Sequence, residues 1–95
     1  MSYRIVKIHL DKSKPEMERS ITKIQLSDGT IENVSDVVQY INDELIYYFK
    51  TIEGETAVVN VVYPSQKKGY QPPYICTENS RKVLNGHNMM DLPRF

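Results

Sequence analysis

Two histidines, His9 and His87, one cysteine, Cys76, and scattered carboxylates are the side chains that could bind a metal or carry nucleophilic chemistry. Their spacing argues against both. The chain has no His-x-x-x-His, Cys-x-x-Cys or Asp-x-Asp-x-Asp pattern, so no metal is expected. A catalytic pair would have to join His87, which follows Gly86 in a polar stretch, to Cys76 or a carboxylate. No third group or oxyanion loop accompanies that pair, and catalysis is not expected. Cys76 lies between Ile75 and Thr77 without a basic neighbour, as a small core residue would. His9 shares a strand face with Lys7 and reads as a solvated imidazole. Gly29, Gly54, Gly69 and Gly86 stand apart and build no phosphate cradle, so no cofactor is expected.

Binding chemistry is better represented. The stretch from Tyr63 to Tyr74 interleaves Tyr63, Tyr70 and Tyr74 with Lys67 and Lys68. Tyrosines anchor protein interfaces, and rings beside lysines can also stack bases and meet phosphates. The plainer alternative is a solvated loop whose tyrosines pack their rings and wet their hydroxyls. A second aromatic group, Tyr47-Tyr48-Phe49, must place one side on the core, which leaves the other as a possible exposed patch. The candidate binding patch is therefore Tyr47, Tyr63, Lys67, Lys68, Tyr70 and Tyr74, serving a protein or peptide partner. A weak single-stranded nucleic-acid platform is the alternative, and an enzyme ranks third.

Composition narrows the choice further. Acidic and basic residues balance at twelve each in 95 residues, which disfavours a polyanion partner. No apolar run approaches the ~18–20 residues that span a bilayer, and the start of the chain lacks a signal-like apolar block. A cytoplasmic protein without membrane attachment is expected. A single cysteine excludes an internal disulfide. The length suits one domain, which hides roughly 60–65% of the surface its unfolded chain exposes.

The elements that must position these side chains read as β-β-α-β-β-β. Tyr3 to Leu10 alternates as a strand, with Val6, Ile8 and Leu10 on one face and Ile5, Lys7 and His9 on the other. Asp11 to Arg19 is charged, contains Pro15 and reads as an exposed, mobile loop. Ile21 to Leu26 resumes alternation, with Ile21 and Lys23 opposite Thr22, Ile24 and Leu26. Asp28-Gly29 marks a turn, and Thr30 to Asn33 is either a short return strand or the run-in to a helix. Val34, Val37, Val38, Ile41 and Leu45 form a helical stripe, with Ser35 as N-cap, Asp36 in the first turn and a stop at Asn42-Asp43. Tyr48, Phe49 and Ile52 would fit a longer helix, but Ile46-Tyr47-Tyr48-Phe49 and the Glu53-Gly54 turn favour a strand from Leu45 to Ile52. Thr56 to Tyr63 is apolar on both faces and reads as a central strand ended by Pro64. Tyr74 to Thr77 is a short last strand. This order predicts an α+β domain, drawn either as a mainly antiparallel sheet of about five strands with one packed helix or as a half-open barrel plugged by that helix.

The chain ends Asn88-Met89-Met90-Asp91-Leu92-Pro93-Arg94-Phe95. Together with Tyr74-Ile75-Cys76-Thr77, this tail resembles a small bacterial family known only as domain of unknown function thirty-eight ninety-two. Further matching positions are Arg4-Ile5, Val34 with Val37 or Val38 and Ile41, Tyr47 to Thr51, and Gly54. His87 stands where the family tends to carry Asp, Met89-Met90 replaces two leucines, and the connection from Thr77 to Asn88 is longer. The resemblance implies no activity, substrate or cofactor. Physically, Asn88 suits a chain reversal, and Met89, Met90, Leu92 and Phe95 suit docking on the core. Deleting Asn88 to Phe95 should cost several kcal/mol, at roughly 1.5–3 per large side chain buried. A truncated chain that melts at the full-length temperature would refute the docked tail.

Overall fold

A computed structural model describes residues 2–51, 53–67, 69–77 and 89–95. The described residues form β1 (Ser2–Leu10), β2 (Ile21–Leu26), β3 (Ile31–Asn33), α1 (Val34–Asn42), β4 (Ile46–Lys50), β5 (Thr56–Val62) and β6 (Tyr74–Thr77). Single 3-10 turns occur at Glu18–Ser20 and Met89–Asp91. The strands make one open sheet in the order β3-β2-β1-β4-β5-β6, antiparallel except where β4 joins β1 in parallel. The α+β expectation is met, with β3 as the sixth strand. The segment after Asp28-Gly29 is thus both a return strand and the run-in to α1.

The core corrects the faces expected for the first two strands. Ile5 and Ile8, three apart, are both buried, as are Ile21 and Ile24. A register shift between the Ile5–Leu26 and Lys7–Gln25 pairs leaves Val6 as an extra residue in β1. A second shift, between His9–Lys23 and Leu10–Ile21, leaves Thr22 extra in β2. Each irregularity reverses the alternation once. Ile5, Ile8, Ile21, Ile24 and Leu26 therefore share one face with Tyr47, Phe49, Val59 and Ile75. Val34, Val37 and Val38 of α1 pack on this face, and α1 reaches β2, β3, β5 and β6.

The middle strands also depart from the simplest pattern. In β5, Val59 is buried and Ala57 and Val61 pack on the core, while Val58 and Val62 on the other face are half-buried. The strand has a neighbour on each side, but its outer face lacks the full cover expected of a central strand. Cys76 also sits on the outer face of β6, half-buried and opposite Asn60, and is not a core residue.

The turn before β2 reaches the edge strand β6. Glu18, in the turn before β2, accepts hydrogen bonds from the Thr77 backbone N–H at 2.6 Å and from its hydroxyl at 3.3 Å. The last seven residues close the sheet from another side. Met89 is fully buried, Met90 and Leu92 pack against the core, and the Ile8 N–H donates to Pro93 O at 2.9 Å. Arg94 pairs with Ile8 in parallel, beyond the point where β4 leaves β1. Phe95 is less deep and stacks on His9 at 5.4 Å between ring centres. His9 is accordingly half-buried under the tail rather than solvated. Asn88 and His87 lie outside the described residues.

The helix begins two residues earlier than expected. Asn33 is the N-cap, and Ser35 lies inside the first turn with Asp36. At the other end Asp43 caps, Glu44 adopts φ 72°, and the chain leaves for β4. The Leu45 N–H donates to Tyr40 O and the Glu44 N–H to Ile41 O, each at 3.0 Å. This is a Schellman stop with glutamate where glycine is usual. It settles helix against strand for the following segment, since β4 starts at Ile46. Glu44→Gly removes the left-handed strain and should raise stability by about 0.5–1 kcal/mol after the entropy cost of glycine. Chemical denaturation checks this, and a lower midpoint would show that the Glu44 side chain contributes more than its strain costs.

Candidate functional site

A groove opens beside the N-terminal end of α1. Its floor is apolar, from Ile21 of β2 and Val34 and Val38 of α1. One wall is the Asp11–Arg19 segment, which supplies Lys14 and Arg19, and the other is the segment before β6, which supplies Tyr70, Pro72, Pro73 and Tyr74. The space measures about 420 Å³ and continues past Pro64 and Gln71 into a further 220 Å³ bounded by the same two cations and Tyr70. Among the described residues lining either part, none is acidic.

Both walls are held by local hydrogen bonds. In the first, Asp11 Oδ1 accepts from the Ser13 N–H at 3.0 Å and the Ser13 hydroxyl at 2.7 Å. Those bonds hold the Asp11 carboxyl below the usual carboxylate range. Further along, the Ser20 hydroxyl donates to Pro15 O at 2.6 Å, and the Asp11 N–H donates to Ser20 O. The charged loop is exposed, as expected, but it is tied at both ends. In the second wall, Gln66 donates from Nε2 to the carbonyls of Pro64 and Gln71 at 2.9 and 2.8 Å. Its Oε1 accepts from the Gln71 N–H at 2.7 Å. Gly69, at φ 103°, lets the chain turn inside that staple. Tyr70 follows, 83% exposed, on a segment whose backbone is already folded.

The structure divides the expected patch. Tyr70 and Tyr74 come together in the groove. Lys67 is exposed nearby, without lining the groove, and Lys68 lies outside the described residues. Tyr63 is 61% exposed but points its hydroxyl to Asn42, at the end of α1, donating to Oδ1 at 2.9 Å. Tyr47 is a correction. It is 1% exposed, on the inner face of β4, and its hydroxyl donates to Glu32 Oε1 at 2.8 Å. Burial first and the Glu32 carboxylate second push its phenol far above the usual tyrosine range. It cannot belong to an exposed patch. Lys14 and Arg19 escaped sequence reasoning because they sit some fifty residues from the tyrosines they face. The charge of the loop signalled solvation and not the direction it faces.

Of the catalytic pair weighed from the sequence, His87 lies outside the described residues. Cys76 has its thiol pushed up, by burial first and by Glu18 second, which disfavours a reactive thiolate. No group of three metal-ligating side chains occurs among the described residues. Among those residues, too, no helix is long and apolar enough to cross a membrane. No family model matches the chain, and neither the curated proteins nor the solved structures yield a match.

Glu18 is half-buried, and its state bears on the groove because it anchors the wall that carries Arg19. Burial raises its pKa above the ordinary 4.5, and the two bonds from Thr77 offset part of that rise. A carboxyl shifted upward favours the fold when protonated. Its contribution is complete below the unfolded value and is lost as pH climbs through the folded one. Glu18→Gln keeps an acceptor for Thr77 without the charge, so it should gain on the wild type across that rise and hold level above it. Glu18→Ala leaves the Thr77 N–H without its acceptor and should cost about 1–3 kcal/mol throughout. Urea melts at several pH values separate the two. Parallel pH profiles for wild type and Glu18→Gln would show that Glu18 is not the titrating group.

Proposed function

We propose that the domain is a non-catalytic interaction module that holds an extended acidic peptide segment in the groove between Lys14, Arg19 and Tyr70. The observation that carries this is the pairing of a stapled, 83% exposed Tyr70 with two cations across an apolar floor free of carboxylates among its described residues. Tyrosines and arginines are the side chains that most often anchor protein interfaces. A preformed wall lowers the ordering cost of binding. The open N-terminal end of α1, where the Asn33 side chain makes no capping bond, adds positive potential on the same side. The dimensions suit a chain of a few residues, with prolines flanking the ring as apolar shoulders. Two lining cations are few for a nucleic acid, which gains affinity by neutralising many phosphates.

A fluorescently labelled peptide of alternating acidic and apolar residues tests the proposal. Binding should weaken with salt. Tyr70→Ala should reduce affinity by about tenfold, and the double change Lys14→Ala with Arg19→Ala by a similar factor. Tyr63→Ala, outside the groove, should have little effect. Equal binding by the wild type and the Tyr70 variant would refute the proposal. Tighter binding of an oligonucleotide than of the peptide would replace it with the nucleic-acid alternative.

A further inference from the structure

A second cavity, of about 270 Å³, lies at the opposite end of α1 and has the opposite character. Tyr3 and Tyr47 are register partners on the parallel strands β1 and β4, with ring centres 5.3 Å apart and planes tilted by 33°. Tyr40, in the last turn of α1 and 37% exposed, brings a third ring to the cavity. Leu26 and Leu45 add apolar surface. The polar lining is acidic. Glu32 holds the Tyr47 hydroxyl through Oε1, and Asp28 stands at the turn, its carboxyl kept low by the Thr30 N–H that it accepts at 2.9 Å.

Glu32 reaches this cavity through the geometry of the β2–β3 hairpin. The loop of Ser27, Asp28 and Gly29 sets Glu32 opposite Ile24, whose side chain is fully buried. A carboxylate is thereby turned inward on an edge strand, while Ile31 is left 54% exposed. Among the described residues lining the cavity none is Lys, Arg or His, and α1 carries no basic residue in its last turn. The negative end of the helix dipole therefore adds to the two carboxylates with no cation of its own.

Ring faces, carboxylates and a helix C-terminus all favour the same guest. We propose that this cavity binds an alkylated ammonium head, with Tyr3 and Tyr40 as its walls, the buried Tyr47 backing Tyr3, and Glu32 and Asp28 as its counter-charges. Tyrosine faces attract cations through their quadrupole, and methyl groups on nitrogen suit the leucines at the same time. A metal ion would instead need several converging oxygen or nitrogen ligands, and rings cannot serve as such. The Tyr47 phenol, kept protonated, orients Glu32 rather than competing for the guest. This assignment is independent of the acidic-peptide groove at the other end of the helix, and either can fail without the other.

The chemistry is shared by a free amine and by a methylated lysine side chain, so the test carries both. The full-length protein is titrated with choline, with its uncharged carbon isostere 3,3-dimethylbutan-1-ol, and with a short peptide containing trimethyl-lysine beside the unmodified peptide. Amide resonances of Thr30, Tyr40 and Leu45 are followed. Choline or the trimethyl-lysine peptide should move them, and the neutral isostere should bind at least about tenfold more weakly than choline. Glu32→Gln, which still accepts from Tyr47, and Tyr40→Leu, on the helix surface, should each weaken cation binding by about threefold or more. A preference for the peptide over choline identifies a side chain as the source, and the reverse identifies a free amine. The proposal is overturned if neither cation moves these resonances, if the isostere binds as well as choline, or if the folded Tyr40→Leu variant keeps wild-type affinity.

Discussion

Among the described residues, one nine-residue helix has to cover the inner face of a six-stranded sheet. The helix is about 13–14 Å long at 1.5 Å per residue. Six strands spaced by about 4.8 Å span roughly 24 Å. A flat sheet would leave its outer strands without a partner layer, and their apolar side chains would face water. Contacts of the helix with both edge strands, β3 and β6, imply a sheet curved around it. Val6 and Thr22, the extra residues in β1 and β2, allow that bend and turn five aliphatic side chains to the same face. The approach of Glu18 to Thr77 follows from the curl, and so does the gap beside β1 that Met89 and the Pro93–Phe95 segment fill.

Thr77 joins three distant parts of the chain at that closure. Its N–H and hydroxyl donate to Glu18, and its hydroxyl oxygen accepts from the Met89 N–H at 3.1 Å. A buried hydroxyl that both donates and accepts leaves no polar group stranded where β6, the turn before β2 and the tail meet. Local bonding supports the same closure. Two hairpins use one loop design, with a glycine at positive φ as the third loop residue, Gly29 after Leu26 and Gly54 after Thr51. Each sets register by loop length, and register decides which side chains face the helix.

The elements were legible where a short stretch of chain determines them. Val34, Val37 and Val38 could bury together only on a helix, and Ile46 to Lys50 was a strand because its β-branched and aromatic residues followed a helix stop. The faces of β1 and β2 were not legible, because a single extra residue inverts alternation and nothing in Val6 or Thr22 announces it. Tyr70 and Tyr74 were found from their neighbours in sequence, but Lys14 and Arg19 were joined to them only by the fold. Glu32 could have been found. Once Asp28-Gly29 is given a three-residue loop, pairing Leu26 with Thr30 places Glu32 opposite Ile24 and hence inside. Tyr47 then becomes the partner of that carboxylate and not a surface aromatic.

The length of the helix also explains why the concave surfaces lie where they do. Packing is complete along the valines of α1 and runs out at both of its ends. Lys14 and Arg19 stand at the N-terminal end, and Glu32 and Asp28 stand at the C-terminal end. The side chains at each end carry the same sign as the helix dipole there, so they reinforce it rather than neutralise it. A protein optimised for stability alone would place charges the other way round, as Asp36 does in the first turn of the same helix. Charge arranged against local stability, at two recesses that also expose aromatic rings, is the pattern expected of surfaces shaped for charged guests. The twelve acidic and twelve basic residues cancel in the sum, yet the charges that line these two recesses are opposite in sign, and the net charge of zero conceals that difference.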